Sequence, residues 1–232
     1  MSNFKKSAKE AFSNEKIRSL TAVGVFSALA YICCVLFHFK VSFLSFDLKD
    51  AVMTIGAMFF GPAYGFSMSL IVSTVELVTI SGTGIYGYIM NILSSVVFVC
   101  IGSFVYTRSR NLLGALLGMG LSVVCMTAVM LGANLLITPF YMGVTVEEVK
   151  ALIVPLLLPF NLTKAVFNAS LVFLLYKPIS TALKSAGFLK SEDNAVRAKY
   201  RMNPLTLAIP LVVAAAALLF FFLYLHGSFE IG

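Results

Sequence analysis

Long apolar runs decide what this chain can fold into. Residues 20–37, 64–80, 88–106, 112–137, 154–176 and 205–225 form six such runs of 17 to 26 residues, each bounded by charge or by Gly/Pro. A helix needs about 20 mainly apolar residues to cross a hydrocarbon core of about 30 Å. The chain therefore reads as an all-α, polytopic membrane helical bundle. A seventh run, residues 50–60, is too short to span upright and lies between Asp47, Lys49 and Asp50 on one side and Gly61-Pro62 on the other. It is expected to be a short or tilted second helix. A water-soluble alternative fails on composition: 12% of the 232 residues are charged and 59% hydrophobic, whereas globular domains carry about 25% charged residues.

The net charge of +7 does not point to nucleic acid, because the basic residues are spread over loops without interleaved aromatics. Their distribution fits membrane topology. With the N-terminus inside and all seven segments crossing, the inner side carries Lys5, Lys6, Lys9, Lys16 and Arg18, then Arg108 and Arg110, then Lys177, Lys184, Lys190, Arg197, Lys199 and Arg201. The outer side carries only Lys40, Lys49 and Lys150, so the count is thirteen against three. This bias favours a cytoplasmic N-terminus and an extracellular C-terminus, provided the short second segment crosses.

The chain divides into a basic N-terminal segment (1–19), a membrane domain (20–184), a charged linker (185–203) and an additional C-terminal transmembrane helix (204–232). The N-terminal segment lacks a small-residue cleavage site after the first apolar run and reads as an interfacial lead-in. No internal repeat or pair of interrupted helices suggests an inverted-repeat transporter. Cys33, Cys34, Cys100 and Cys125 all fall in apolar stretches, with neither a disulfide framework nor a CxxC metal pattern. No metal site is expected.

Polar side chains at membrane depth are costly and mark candidate sites. Asn161, Lys164 and Asn168 stand at i, i+3 and i+7, on one helical face. Lys164 is the only cation inside an expected span; it either snorkels to the surface or faces a cavity, and a position about ten residues into its segment favours the cavity. Asn134, ahead of Thr138-Pro139-Phe140-Tyr141, suits an interhelical hydrogen bond more readily than a ligand contact. Glu76 and Asn91 flank the turn Ser81-Gly82-Thr83-Gly84-Ile85-Tyr86-Gly87, and Glu76 either pairs with Lys164 or lines a polar cavity. Phe43-Leu44-Ser45-Phe46-Asp47-Leu48 alternates apolar and polar residues, as an extended segment over a cavity or an ordinary connector would. Gly24 and Ala28 form a small-xxx-small pair on the first helix, which permits close approach of another helix.

These residues resemble the S components of energy-coupling factor (ECF) transporters, within them the riboflavin-specific RibU family. The resemblance runs from about residue 19 to residue 184. It is carried by Ser27-Ala28-Leu29-Ala30-Tyr31, Phe46-Asp47-Leu48-Lys49-Asp50, Phe60-Gly61-Pro62, residues 87–94 with Asn91, residues 134–141 with Asn134, and most specifically Pro159-Phe160-Asn161-Leu162-Thr163-Lys164. It implies six helices around an outward-facing vitamin cavity, with riboflavin as transported ligand and no cofactor. It also implies docking in the lipid bilayer to an EcfT-type scaffold subunit that joins two cytoplasmic ATPase subunits. Asn134, Asn161 and Lys164 are implied as flavin contacts, and Gly24 and Ala28 as scaffold contacts. The helix at 205–225 is not part of that six-helix core. A Walker motif is absent, so ATP hydrolysis is expected from partners.

The chemistry is compatible with that implication. An Asn amide can both donate to and accept from the dione edge of a flavin, and Lys164 can donate to its oxygens. Phe43, Phe46 and Tyr141 can supply apolar walls, and Asp47 polyol contacts. The alternatives are an S component for another vitamin, or a secondary transporter in which Lys164 and Glu76 form a coupling pair. An intramembrane enzyme is disfavoured because His38 and His226 lie at the outer ends of different segments and Glu76 has no expected second acid inside the bundle.

Overall fold

The computed structural model describes residues 2–189 and 204–225. Most of the linker, together with His226 and the C-terminal Gly232, lies outside the described residues. Helix α1 (Ser2–Leu36) runs without a break through the basic segment into the first apolar run. It leads to a hairpin of β1 (Phe39–Val41) and β2 (Leu44–Phe46), paired antiparallel with Phe39 opposite Phe46. Ser42 turns the hairpin at φ 54°, the positive φ that two-residue hairpin loops favour.

Helix α2 (Lys49–Phe60) is the short second helix expected from the sequence, and it is buried from Lys49 to Met58. Gly61 ends it at φ 114°, a conformation that side-chain-bearing residues rarely adopt, and Pro62 opens α3 (Pro62–Thr79). Helices α4 (Gly84–Ser109) and α5 (Leu112–Met142) are joined by left-handed Arg110 and by Asn111, whose Oδ1 accepts from the Gly114 amide at 2.7 Å. A capping box between Thr145 and Glu148 starts α6 (Val146–Ala151). A π-turn (Ile153–Leu157) then feeds α7 (Leu158–Ser185). Helix α8 (Pro204–Phe220) ends in a second π-turn (Phe221–Leu225).

Five helical stretches among the described residues are long and apolar enough to cross a membrane: Lys16–Leu36, Gly84–Ser109, Leu112–Met142, Ile153–Ser185 and Leu207–Tyr224. Residues 64–80, read from the sequence as a clear span, are not among them. They form α3, whose polar residues include a buried Glu76. Lys49, placed by the sequence in an outer loop, lies inside the bundle at the start of α2. Its side chain is therefore no topological loop charge, which leaves Lys40 and Lys150 on that side.

Small residues set the helix spacing. A Cβ added at Gly118 of α5 would sit 2.8 Å from the carbonyl oxygen of Gly102 in α4, so these two backbones are in direct apposition. Without hydrophobic driving force between helices in lipid, such close packing is what holds a bundle together. Gly118→Val should therefore destabilise the protein by about 1–3 kcal/mol, read as a lower midpoint of thermal unfolding in detergent. Gly120→Val, at a position where an added Cβ meets nothing within 4 Å, should leave the midpoint unchanged.

Among the described residues the interior is divided into two apolar clusters. The larger joins α1, α2, α3, α4, α5 and α7 through residues such as Phe26, Met53, Met68, Phe98, Met126 and Val172. The smaller gathers Leu44 and Phe46 of the hairpin, Val149, Leu156 and Leu157, Phe160 and Phe167 of α7, Ala214 and Ala217 of α8, and Phe221 of the π-turn after it. Many large apolar side chains point outward instead, among them Leu113, Leu117 and Val124 on α5 and Leu211 and Leu219 on α8. Such a surface is stable against lipid and not against water.

Candidate functional site

The hairpin, the α3–α4 turn, the end of α5 and the start of α7 meet at one end of the bundle. They enclose a cleft of about 640 Å³, counting its open mouth. Its walls are Phe43, Leu44 and Ser45 from the hairpin; Thr83, Tyr86, Gly87, Met90, Asn91 and Ser94 from the turn and α4; Met130, Asn134, Ile137, Thr138 and Tyr141 from α5; and Phe160, Asn161 and Lys164 from α7. Tyr86 and Tyr141 face each other at 6.3 Å between ring centroids.

Of the residues singled out in the sequence, six line the cleft: Phe43, Asn91, Asn134, Tyr141, Asn161 and Lys164. Asp47, Phe46 and Glu76 stand behind the lining. Phe46 packs against Phe160, Phe167 and Phe221 in the smaller apolar cluster. Asp47 and Glu76 belong to a buried ion network under the floor.

That network differs from the expected Glu76–Lys164 pair. Lys164 Nζ donates to Asp47 Oδ2 at 2.8 Å and to the Ser45 carbonyl at 3.1 Å. Glu76 pairs with Lys49, which also lies 3.5 Å from Asp47. The sequence reading missed Lys49 because it sits beside Asp47 and Asp50 in what looks like a solvated charge run. Nor is Glu76 the sole buried acid: Asp47 and Asp50 are buried too, Asp50 accepting from Ser95 Oγ at 2.5 Å. Buried acids demand buried partners, and this requirement was the signal that could have placed Lys49 inside. Burial by itself would push the Asp47 carboxyl up, but the ammonium groups of Lys164 and Lys49 outweigh it and hold the carboxyl below the usual carboxylate range.

Asn168, one turn below Lys164, does not reach the cleft. Its Oδ1 accepts from the Ala51 amide at 3.0 Å, and its Nδ2 donates to the Asp47 carbonyl at 3.1 Å. It thus ties α7 to the start of α2 and fixes Asp47 under Lys164. Lys164 itself is the seventh residue of α7, 4% exposed, and clamped in place instead of snorkelling.

The cleft keeps hydrogen-bonding capacity in reserve. Each lining Asn uses one N–H inside the protein: Asn91 to Glu76 Oε1 at 2.8 Å, Asn134 to the Met130 carbonyl at 2.8 Å, and Asn161 to the Leu157 carbonyl at 2.7 Å. A carboxamide has a second N–H and two acceptor lone pairs, of which Asn134 already uses one to accept from Thr138 Oγ1 at 2.9 Å, and the Lys164 ammonium keeps one of its three N–H beyond Asp47 and Ser45. Ser94 Oγ is buried with no hydrogen-bond partner among the described residues. Among aromatic and Met walls, these groups can recognise a flat, polar-edged molecule. Below the cleft, Cys34, His38 and Glu76 offer ligand atoms within 4.8 Å of one another, but both Glu76 oxygens already accept, from Lys49 and from Asn91. A cation there would compete with the Lys49 ammonium.

The family model for the substrate-specific component of ECF transporters matches residues 18–176. No curated protein matches the chain. Among solved structures, the S component of a bacterial ECF transporter is similar at 22% identity and a TM-score of 0.62, covering 73% of this chain and 99% of that one. At that identity the similarity establishes the shared fold.

Proposed function

The chain belongs to the substrate-specific components of ECF transporters, which are substrate-binding transport subunits and not enzymes, and from that premise we propose that its substrate is riboflavin. The observation that carries this reading is the convergence of Asn134, Asn161 and Lys164 on one cleft. The amides match the alternating donors and acceptors of a flavin dione edge, and the ammonium matches its oxygens. Phe43, Tyr86, Tyr141 and Phe160 suit the flat apolar part of the ring system. Riboflavin should quench on titration into the purified protein with saturable 1:1 stoichiometry. Absence of quenching, with binding of another vitamin, would assign the same cleft to that vitamin.

In this reading the cleft faces outward, and the scaffold and two ATPase subunits of an ECF complex supply energy from the other side. Arg108 and Arg110 close α4 at the end away from the cleft, and Lys184 stands in the last turn of α7, with Lys177 about two turns before it. That cationic end is cytoplasmic and the C-terminus extracellular by the Lys/Arg rule. In intact cells, Ser109→Cys should stay unlabelled by a membrane-impermeant maleimide and react once the cells are opened. Labelling from outside would reverse the orientation.

A further inference from the structure

Helix α8 lies beyond the residues that the family model covers, which end at 176, yet its end is built into the cleft architecture. Phe221, the first residue of the terminal π-turn, is 1% exposed. Its ring centroid lies 4.6 Å from that of Phe46 and 6.4 Å from that of Phe160. The next residue, Phe222, meets Phe39 edge-on at 6.2 Å. Phe39 and Phe46 are cross-strand partners, so α8 contacts both strands of the hairpin at the same rung.

The hairpin contributes Phe43, Leu44 and Ser45 to the cleft wall. Its strands are three residues each, and a two-stranded ribbon of that size is not stable alone. Lys164 holds it from the cleft side through the Ser45 carbonyl. Phe221 holds it from behind, through Phe46.

We propose that α8 is a brace for the hairpin, with Phe221 and Phe222 as positioning residues that keep the cleft wall closed over bound substrate. Taking riboflavin as that substrate rests on the function proposed above. The brace itself rests on the aromatic contacts alone. A wall pinned from behind opens less often, so ligand leaves more slowly while its affinity-determining polar contacts are unchanged.

The test uses the full chain in lipid nanodiscs with Phe221→Ala, Phe221→Leu and Phe222→Ala. Hydrogen exchange is followed by mass spectrometry over residues 39–46 without ligand, and riboflavin dissociation is followed by chase with excess unlabelled flavin. Phe221→Ala should raise exchange of the hairpin amides and dissociation about tenfold, and Phe222→Ala less, with protection in α2 to α5 unchanged. Phe221→Leu should restore most of both. Wild-type exchange over residues 39–46 in both alanine variants overturns the brace, as does faster exchange spread evenly over the bundle in Phe222→Ala. If riboflavin binds to no form including wild type, the substrate assignment fails while the exchange measurement still decides the brace.

Discussion

Lys164→Ala should weaken riboflavin binding by about 10- to 100-fold, the range expected when a hydrogen bond from a charged donor is lost in a desolvated site. The variant also unsettles the floor. Asp47 is fully buried and loses its 2.8 Å partner, keeping Lys49 at 3.5 Å. Removing one member of a buried ion pair costs about 3–5 kcal/mol where no second partner exists, and the Lys49 contact reduces that penalty here. Asn161→Ala separates the two effects. Among the described residues Asn161 bonds only within its own helix, to the Leu157 carbonyl, so its loss should lower affinity with little change in thermal stability. Fluorescence titration and thermal unfolding on both variants check this, and wild-type affinity in both would remove the cleft assignment.

Gly24→Leu and Ala28→Leu should reduce energised uptake to background while leaving flavin binding to the isolated subunit intact. Both residues are exposed on α1, and a Cβ added at Gly24 meets nothing within 4 Å. A larger side chain there leaves the bundle unperturbed and obstructs whatever docks outside it. Exposed Leu20 and Ile32 extend the same i±4 ridge on either side of the pair. In lipid, close backbone approach is the main source of helix association, and a leucine at the contact separates the backbones. Co-purification with the scaffold and ATPase subunits should fail in both variants. Retained assembly and retained uptake would place the docking face elsewhere.

The helices were legible in the sequence because apolar length leaves few alternatives at membrane depth. Their ends were less so. The fifth apolar run was expected to stop at residue 137, but α5 continues through Pro139 to Met142, since the flanking turn signal is Gly143 at φ 67°. The cleft was partly legible: an Asn and a Lys on one face of α7, and an Asn near the end of α5, are polar groups that lipid would reject. What the sequence hid was pairing. Asp47 with Lys49, Glu76, and Lys164 come from three separate parts of the chain, and each has two opposite charges within plausible reach on paper. Only the burial of the start of α2 in the bundle, anchored by Asn168 at its first turn, decides that Glu76 takes Lys49 and Asp47 takes Lys164.

The ion network also bears on how the chain is made. Asp47 and Lys49 leave the ribosome together, Glu76 follows 27 positions after Lys49, and Lys164 comes 117 positions after Asp47. A charge at the bilayer centre opposes insertion by about 2.5–3.5 kcal/mol on translocon scales. In the early segment each of these charges has an opposite partner close in the chain, Lys49 beside Asp47 and then Glu76 of α3. This trio carries one excess negative charge, which Lys164 of α7 offsets, while Asp50, a further buried acid, is held by the Ser95 hydroxyl. The cation that lines the cleft is thus also the last member of the Asp47–Lys49–Glu76–Lys164 network to be synthesised, and its arrival balances those four charges.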